Sequence, residues 1–184
     1  MLIGCLSWGS LVWNPGDLPV RGGWQLDGPL LPIEFARLSQ HERITLVILN
    51  DPEYAASRSL WTLLDVNSLP EAVTRLRQRE GCPANKIGQW TRGQDEPEET
   101  IDKRIHRWAQ RLDIDALVWT KLGPKWDGED RMPSDEEVQN RLEEWGEPQG
   151  TYARLYFQMA PRQIDTPYRR TIVQHFGWPI LSPY

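Results

Sequence analysis

The chain has 184 residues, of which 39% are hydrophobic and 26% charged, with a mean hydropathy of −0.59, a balance that supports a globular core and excludes wholesale disorder. A formal net charge of −5 and a pI near 5.3 provide no overall positive field for a nucleic acid or an anionic membrane, so neither is an expected partner. No run approaches the roughly 18 to 20 apolar residues of a membrane-spanning helix, and two cysteines are too few for a disulfide framework and lack metal-site spacing.

One domain over residues 1–184, in a reducing cytoplasm, is the expectation. Leu2, Ile3, Cys5 and Leu6 make an apolar run suited to a buried strand. Gly9, Asn14, Pro15 and Gly16 then turn the chain away. A glycine there allows close approach to the main chain, and successive backbone N–H groups can form a concavity for a carboxylate or an oxyanion; the same residues also suit a plain turn. Residues 17–28, rich in Gly and Pro around Trp24, read as an irregular connection. Residues 30–39 read as a strand in which Phe35 and Arg37 share one face, Glu34 and Ala36 the other. A clearer strand at 44–49 joins it through Ser39-Gln40-His41-Glu42 as an antiparallel hairpin.

Asn50-Asp51-Pro52 ends that run and residues 59–66 supply another strand. Ser68-Leu69-Pro70-Glu71 has the form of a capping box, with Ser68 as N-cap and Glu71 reaching back to its amide. Leu69, Ala72, Val73 and Leu76 give the following helix its apolar stripe, and Gly81 terminates it. Glu80 therefore falls in the last turn. The partial negative charge of a helix C-terminus raises a carboxyl pKa there, and Arg75, Arg77 and Arg79 oppose that rise.

Residues 83–99, polar and broken by Gly and Pro, are expected to form a mobile excursion over the site. An amphipathic helix follows, with Ile101, Ile105, Trp108 and Leu112 inward and Lys103, Arg104, Arg107 and Arg111 on a solvated flank. Residues 116–120 form a short buried strand. Trp126-Asp127-Gly128-Glu129-Asp130 lacks the spacing and closing glutamate of an EF-hand and reads as a solvated turn. Ser134-Asp135-Glu136-Glu137 opens a helix with Val138, Leu142 and Trp145 inward, residues 151–160 read as a strand, and Thr166-Pro167 opens a last helix packed through Tyr168, Ile172, Val173 and Phe176 up to Gly177. With neither βαβ alternation nor a dinucleotide fingerprint, five or six strands and several helices indicate an α+β fold, a small mixed β-barrel or half-barrel surrounded by helices. Ten tryptophans fill its core and line a pocket.

Two segments together resemble a known family. The strand running into Trp8-Gly9-Ser10-Leu11, the apolar Ser59-Leu60-Trp61-Thr62-Leu63-Leu64 and the helix closing on Arg79-Glu80-Gly81 resemble the γ-glutamylcyclotransferase-like proteins, including their ChaC-type, glutathione-degrading branch. Leu11-Val12-Trp13-Asn14-Pro15-Gly16 is especially similar to that branch. Trp8 stands where the family usually has tyrosine, and Cys82-Pro83 follows the glutamate where ChaC-type members continue toward Gly-Gly-Tyr. The resemblance covers about the first half of the chain. It implies a cyclotransferase-like barrel, no cofactor, a small γ-glutamyl substrate held by Trp8 and the backbone of Gly9, Ser10 and Leu11, and Glu80 as acid/base in forming 5-oxoproline.

Beside that pair, Arg37 would clamp a substrate carboxylate and Glu34 an α-ammonium; a structural pair or a surface strand is the reading the residue types favour. Ser10 as a nucleophile would need a neighbouring base, and His41, His106 and His175 are scattered over separate elements without metal-ligand spacing. Cys82 reads as an incidental thiol. The rival to catalysis is a cyclotransferase-like domain that binds a metabolite or a protein partner without turnover. The sequence defines no oligomeric state.

Overall fold

The computed structural model describes residues 1–39, 43–145 and 152–184. The expected hairpin link through Gln40, His41 and Glu42, and Thr151 at the head of the expected strand, lie outside them. In chain order the strands are β1 (Ile3–Ser7), β2 (Val20–Gln25), β3 (Leu30–Ser39), β4 (Arg43–Ile48), β5 (Ala56–Arg58), β6 (Leu60–Leu64), β7 (Ile87–Thr91) and β8 (Ala116–Thr120). The helices are α1 (Leu69–Glu80), α2 (Thr100–Ala109), α3 (Asp135–Glu144), α4 (Tyr152–Met159) and α5 (Pro167–Phe176). The chain divides into two compact units, Met1–Leu31 with Arg58–Leu122, and Pro32–Ser57 with Gly123–Tyr184.

The first unit is built on a mixed five-stranded sheet of order β2-β6-β1-β8-β7. Every residue of β1 is buried, which is why its sequence runs apolar without alternation: a strand covered on both faces has no polar side to show. It pairs antiparallel with β6, from Ile3 against Leu64 to Ser7 against Leu60, and parallel with β8, Cys5 standing opposite Val118. Helix α1 lies against β8 and β7. Residues 83–99 hold a strand, β7, paired antiparallel with β8, and not the expected excursion. Its Gly88 faces Trp119, whose indole lies over it so closely that a Cβ on Gly88 would stand 2.2 Å from the ring. A glycine that looks like a loop signal is here the gap that admits a tryptophan. Residues 17–28 likewise contain β2, an edge strand with only Trp24 buried and a register shift between Arg21 and Gln25.

The second unit holds a three-stranded sheet of order β4-β3-β5, with α4 against β4 and α3 beside α5. β3 and β4 form the expected antiparallel pair, but a bulge alters its faces. Phe35 stands opposite Leu46 and Arg37 opposite Thr45, consecutive residues of β4, so Phe35 and Arg37 point to opposite faces instead of sharing one. Phe35 stacks on Phe157 of α4 with ring centroids 3.9 Å apart. That helix replaces the expected strand at 151–160. Its buried Ala153, Tyr156 and Phe157, followed by buried Ala160, repeat at i, i+3, i+4 and i+7, the period of a helix facing a core.

The architecture is thus mixed α+β. The expected barrel is not closed: β2 and β7 end the larger sheet and β4 and β5 the smaller one, and β2, twisted by its glycines and bulge, makes a poor closing edge.

Candidate active site at the end of helix α1

Local chemistry fixes where α1 starts and stops. Ser68 Oγ accepts from the Glu71 N–H at 3.4 Å, and the Glu71 carboxylate accepts from the Asn67 N–H at 3.0 Å, one residue before the amide a full capping box would use. At the other end Gly81 takes φ 61°, with its N–H on the Gln78 carbonyl at 3.3 Å and the Cys82 N–H on the Arg77 carbonyl at 3.1 Å. That pair of bonds is a Schellman motif, and the left-handed residue it requires is the reason for glycine here. Glu80 is held by it as the last residue of the helix.

The Glu80 side chain does not stand in open water. It and Arg79 are each 18% exposed, and Arg79 Nη1 meets Glu80 Oε1 at 3.1 Å. The same guanidinium reaches the loop after β1, where Nη2 donates to Ser10 Oγ at 3.1 Å and to the Asn14 carbonyl at 2.7 Å. Gly16, at φ 59°, packs beside it, and a Cβ there would lie 3.8 Å from Arg79 Cδ. The loop is a tight turn in its own right, with the Val12 N–H on the Gly9 carbonyl at 3.0 Å and the Asn14 N–H on the Ser10 carbonyl at 2.8 Å. The amides of Gly9 and Leu11 take part in neither bond. Trp8, Gly9 and Leu11 are buried and Ser10 half-buried.

Burial pushes the Glu80 carboxyl above the usual carboxylate range, against the pull of Arg79. Cys5, fully buried on β1, is the third member of the group. Its thiol is pushed far up by burial first and by the Glu80 charge second, with Arg79 opposing. The structure therefore brings together Ser10 and Glu80 from the expected set and adds Arg79, Asn14 and Cys5, which sequence reasoning missed as site residues. Arg79 was visible beside Glu80; its reach across 69 positions to Ser10 was not.

Glu34 and Arg37 belong to the second unit, and each has partners of its own. Glu34 is fully buried and accepts four hydrogen bonds: from its neighbour's N–H at Phe35 (2.7 Å), from the Tyr54 hydroxyl (2.9 Å), from the Tyr168 N–H (3.1 Å) and from the Thr166 hydroxyl. Thr166 is the N-cap of α5 and Tyr168 lies in its first turn, so the carboxylate sits at a helix N-terminus, where negative charge is favoured. Burial still pushes its pKa up, with the four hydrogen bonds pulling down. Arg37 donates to the Gly123 carbonyl at 3.0 Å. Of the histidines, His106 is buried, with Nδ1 accepting from Trp90 Nε1 at 3.0 Å; His175 pairs with Glu143 at 2.9 Å; and His41 lies outside the described residues. Among the described residues no group of three His, Cys, Asp or Glu side chains is placed to hold a metal ion.

An open cleft of about 550 Å³ elsewhere in the first unit is lined by Met1, Leu69, Thr91, Arg92, Asp115 and Ala116. Its charged side chains are already engaged, Arg92 on the carbonyls of Ile114 and Leu112 and Asp115 on the Leu2 N–H. Comparison of the chain with family models, curated proteins and solved structures returns no significant match.

Proposed function

We propose that this protein is a γ-glutamylcyclotransferase-like enzyme that closes a γ-glutamyl compound to 5-oxoproline and releases the amine or peptide attached to it. The observation that carries the reading is Glu80: a carboxyl at a helix end, mostly buried, raised in pKa and tied through Arg79 to the Ser10 loop. A general acid/base at neutral pH needs a pKa raised in this direction.

In the reaction the substrate's neutral α-amine attacks its own γ-carbonyl carbon. The new C–N bond forms as Glu80 takes the amine proton; the old amide C–N bond then breaks and Glu80 returns that proton to the leaving nitrogen. Atoms and charge balance without water or a redox partner. Trp8 borders the bound γ-glutamyl group, and the amides of Gly9, Ser10 and Leu11 hold it folded and meet the developing oxyanion, so most of the rate enhancement is positioning and fixed dipoles. Its two cysteines, both free thiols, fit work in a reducing cytoplasm. The resemblance also supports a cyclotransferase-like half-barrel as the parent of the open five-stranded sheet.

A second reading, metabolite or partner binding without turnover, is favoured by one observation: the Arg79–Glu80 ion pair suffices to pin a loop even where no proton moves. Incubation with glutathione and with a series of γ-glutamyl amines, followed by detection of 5-oxoproline, separates the two. Stoichiometric 5-oxoproline and free amine are expected; ligand binding with no product over the whole series would establish the second reading.

A further inference from the structure

We infer that Arg79 is the positioning residue of this site, a single guanidinium that fixes both the Glu80 carboxylate and the Ser10–Asn14 loop and makes the loop respond to the charge on Glu80. The inference rests on reading Glu80 as the proton-transfer group. Three acceptors meet this one side chain: Glu80 Oε1 at 3.1 Å on Nη1, and Ser10 Oγ at 3.1 Å and the Asn14 carbonyl at 2.7 Å on Nη2. Neighbouring residues of one helix end are thus split between two tasks, one bearing the carboxylate, the other clamping it to a segment 65 to 69 positions away. A planar fork can serve three acceptors in fixed directions; a lysine at the same place offers one point charge.

The consequence follows from the order of proton transfers. While Glu80 is ionised, Arg79 is attracted to it and the loop is drawn to the helix end through the same group. When Glu80 holds the substrate proton that attraction weakens, and the guanidinium is left to Ser10 and Asn14, beside the amides where the oxyanion forms. The groups acting on one another here are Arg79 and Glu80 from the end of α1 and the Cys5 thiol from β1. A neutral residue at 79 would leave Glu80 buried with no opposing cation, and its titration would move up.

The test is an NMR titration of the Glu80 side-chain carboxyl in the wild type, Arg79→Met, Arg79→Lys and the same-helix control Arg77→Met. The midpoint is expected to move up in Arg79→Met, to return toward the wild-type value in Arg79→Lys, and to stay in place in Arg77→Met. In the wild type itself the Ser10 and Asn14 amide signals should shift with the Glu80 midpoint, and in Glu80→Gln they should not, a measurement that needs no substitution at 79. An unmoved Glu80 midpoint in a folded Arg79→Met, or loop signals indifferent to Glu80, would overturn the inference. These readouts do not depend on turnover, so a chain with the coupling but no 5-oxoproline release would fail the catalytic reading alone. Where turnover is found, kcat/KM in Arg79→Met should fall by about 10- to 100-fold, the cost of a displaced group, with the acid limb of its pH profile shifted upward.

Discussion

At the scale of the residue, two carboxylates among the described residues carry the account, Glu34 fully buried and Glu80 mostly so, and they have opposite standing. Glu80 has one charged partner and a raised pKa; Glu34 has four donors around it, two of them backbone N–H groups, one on each oxygen. In Glu34→Gln the amide NH2 must face one of those backbone donors whichever way it is turned. Lost hydrogen bonds to a buried charge cost about 1.5 to 3 kcal/mol each, so urea unfolding of Glu34→Gln should show a loss of about 2 to 3 kcal/mol; an unchanged midpoint would contradict the assignment of Glu34 as a structural anchor. For Glu80 the pH dependence has a definite sign. A carboxyl whose folded pKa lies above its unfolded value binds its proton more tightly when folded. Its contribution is complete below the unfolded pKa, about 4.3, and is lost as pH rises through the folded value. Stability of the wild type should therefore decline across that window more steeply than that of Glu80→Gln, measured by thermal unfolding between mildly acidic and neutral pH. A steeper decline in the variant would contradict it.

At the scale of the element, the parts legible in the sequence are those whose pattern is local. The uniform burial of β1, the caps at Ser68, Ser134 and Thr166, and the left-handed glycines Gly81 and Gly177 all appear where the residues place them. At Ser134 the reciprocal bonds of the capping box are both present. The misread elements share a different cause, because their residues are explained by what packs on them. Gly88 in β7 exists for Trp119, and Gly22 and Gly23 leave β2 with one buried side chain. In α4 the aromatic residues Tyr152, Tyr156 and Phe157 resemble strand composition while the helical period runs beneath them. Overpacking at Gly88 should be costly, since the indole beside it is part of a 2% exposed tryptophan. Gly88→Ala is expected to lose about 1 to 3 kcal/mol, read by thermal unfolding followed at tryptophan fluorescence; full stability would show that Trp119 swings aside freely.

At the scale of the whole molecule, the acidic composition and the mixed α+β architecture were legible from residue content and period alone, whereas the division into two compact units was not, since each unit is assembled from separated stretches of chain. The site shows the same limit. Gly9-Ser10-Leu11 and Arg79-Glu80-Gly81 were recognisable as segments and the family resemblance implied that they meet, but the bond from Arg79 to Ser10 that joins them spans 69 positions, and Glu34 finds Thr166 across 132. The central claim is that Glu80 moves the proton in cyclisation, and purified wild type and Glu80→Gln compared side by side for 5-oxoproline release from the same γ-glutamyl substrate test it most directly. Removing a general acid/base is expected to lower kcat by about 10²- to 10⁴-fold with the fold retained by circular dichroism. Equal rates from the two proteins would contradict the account.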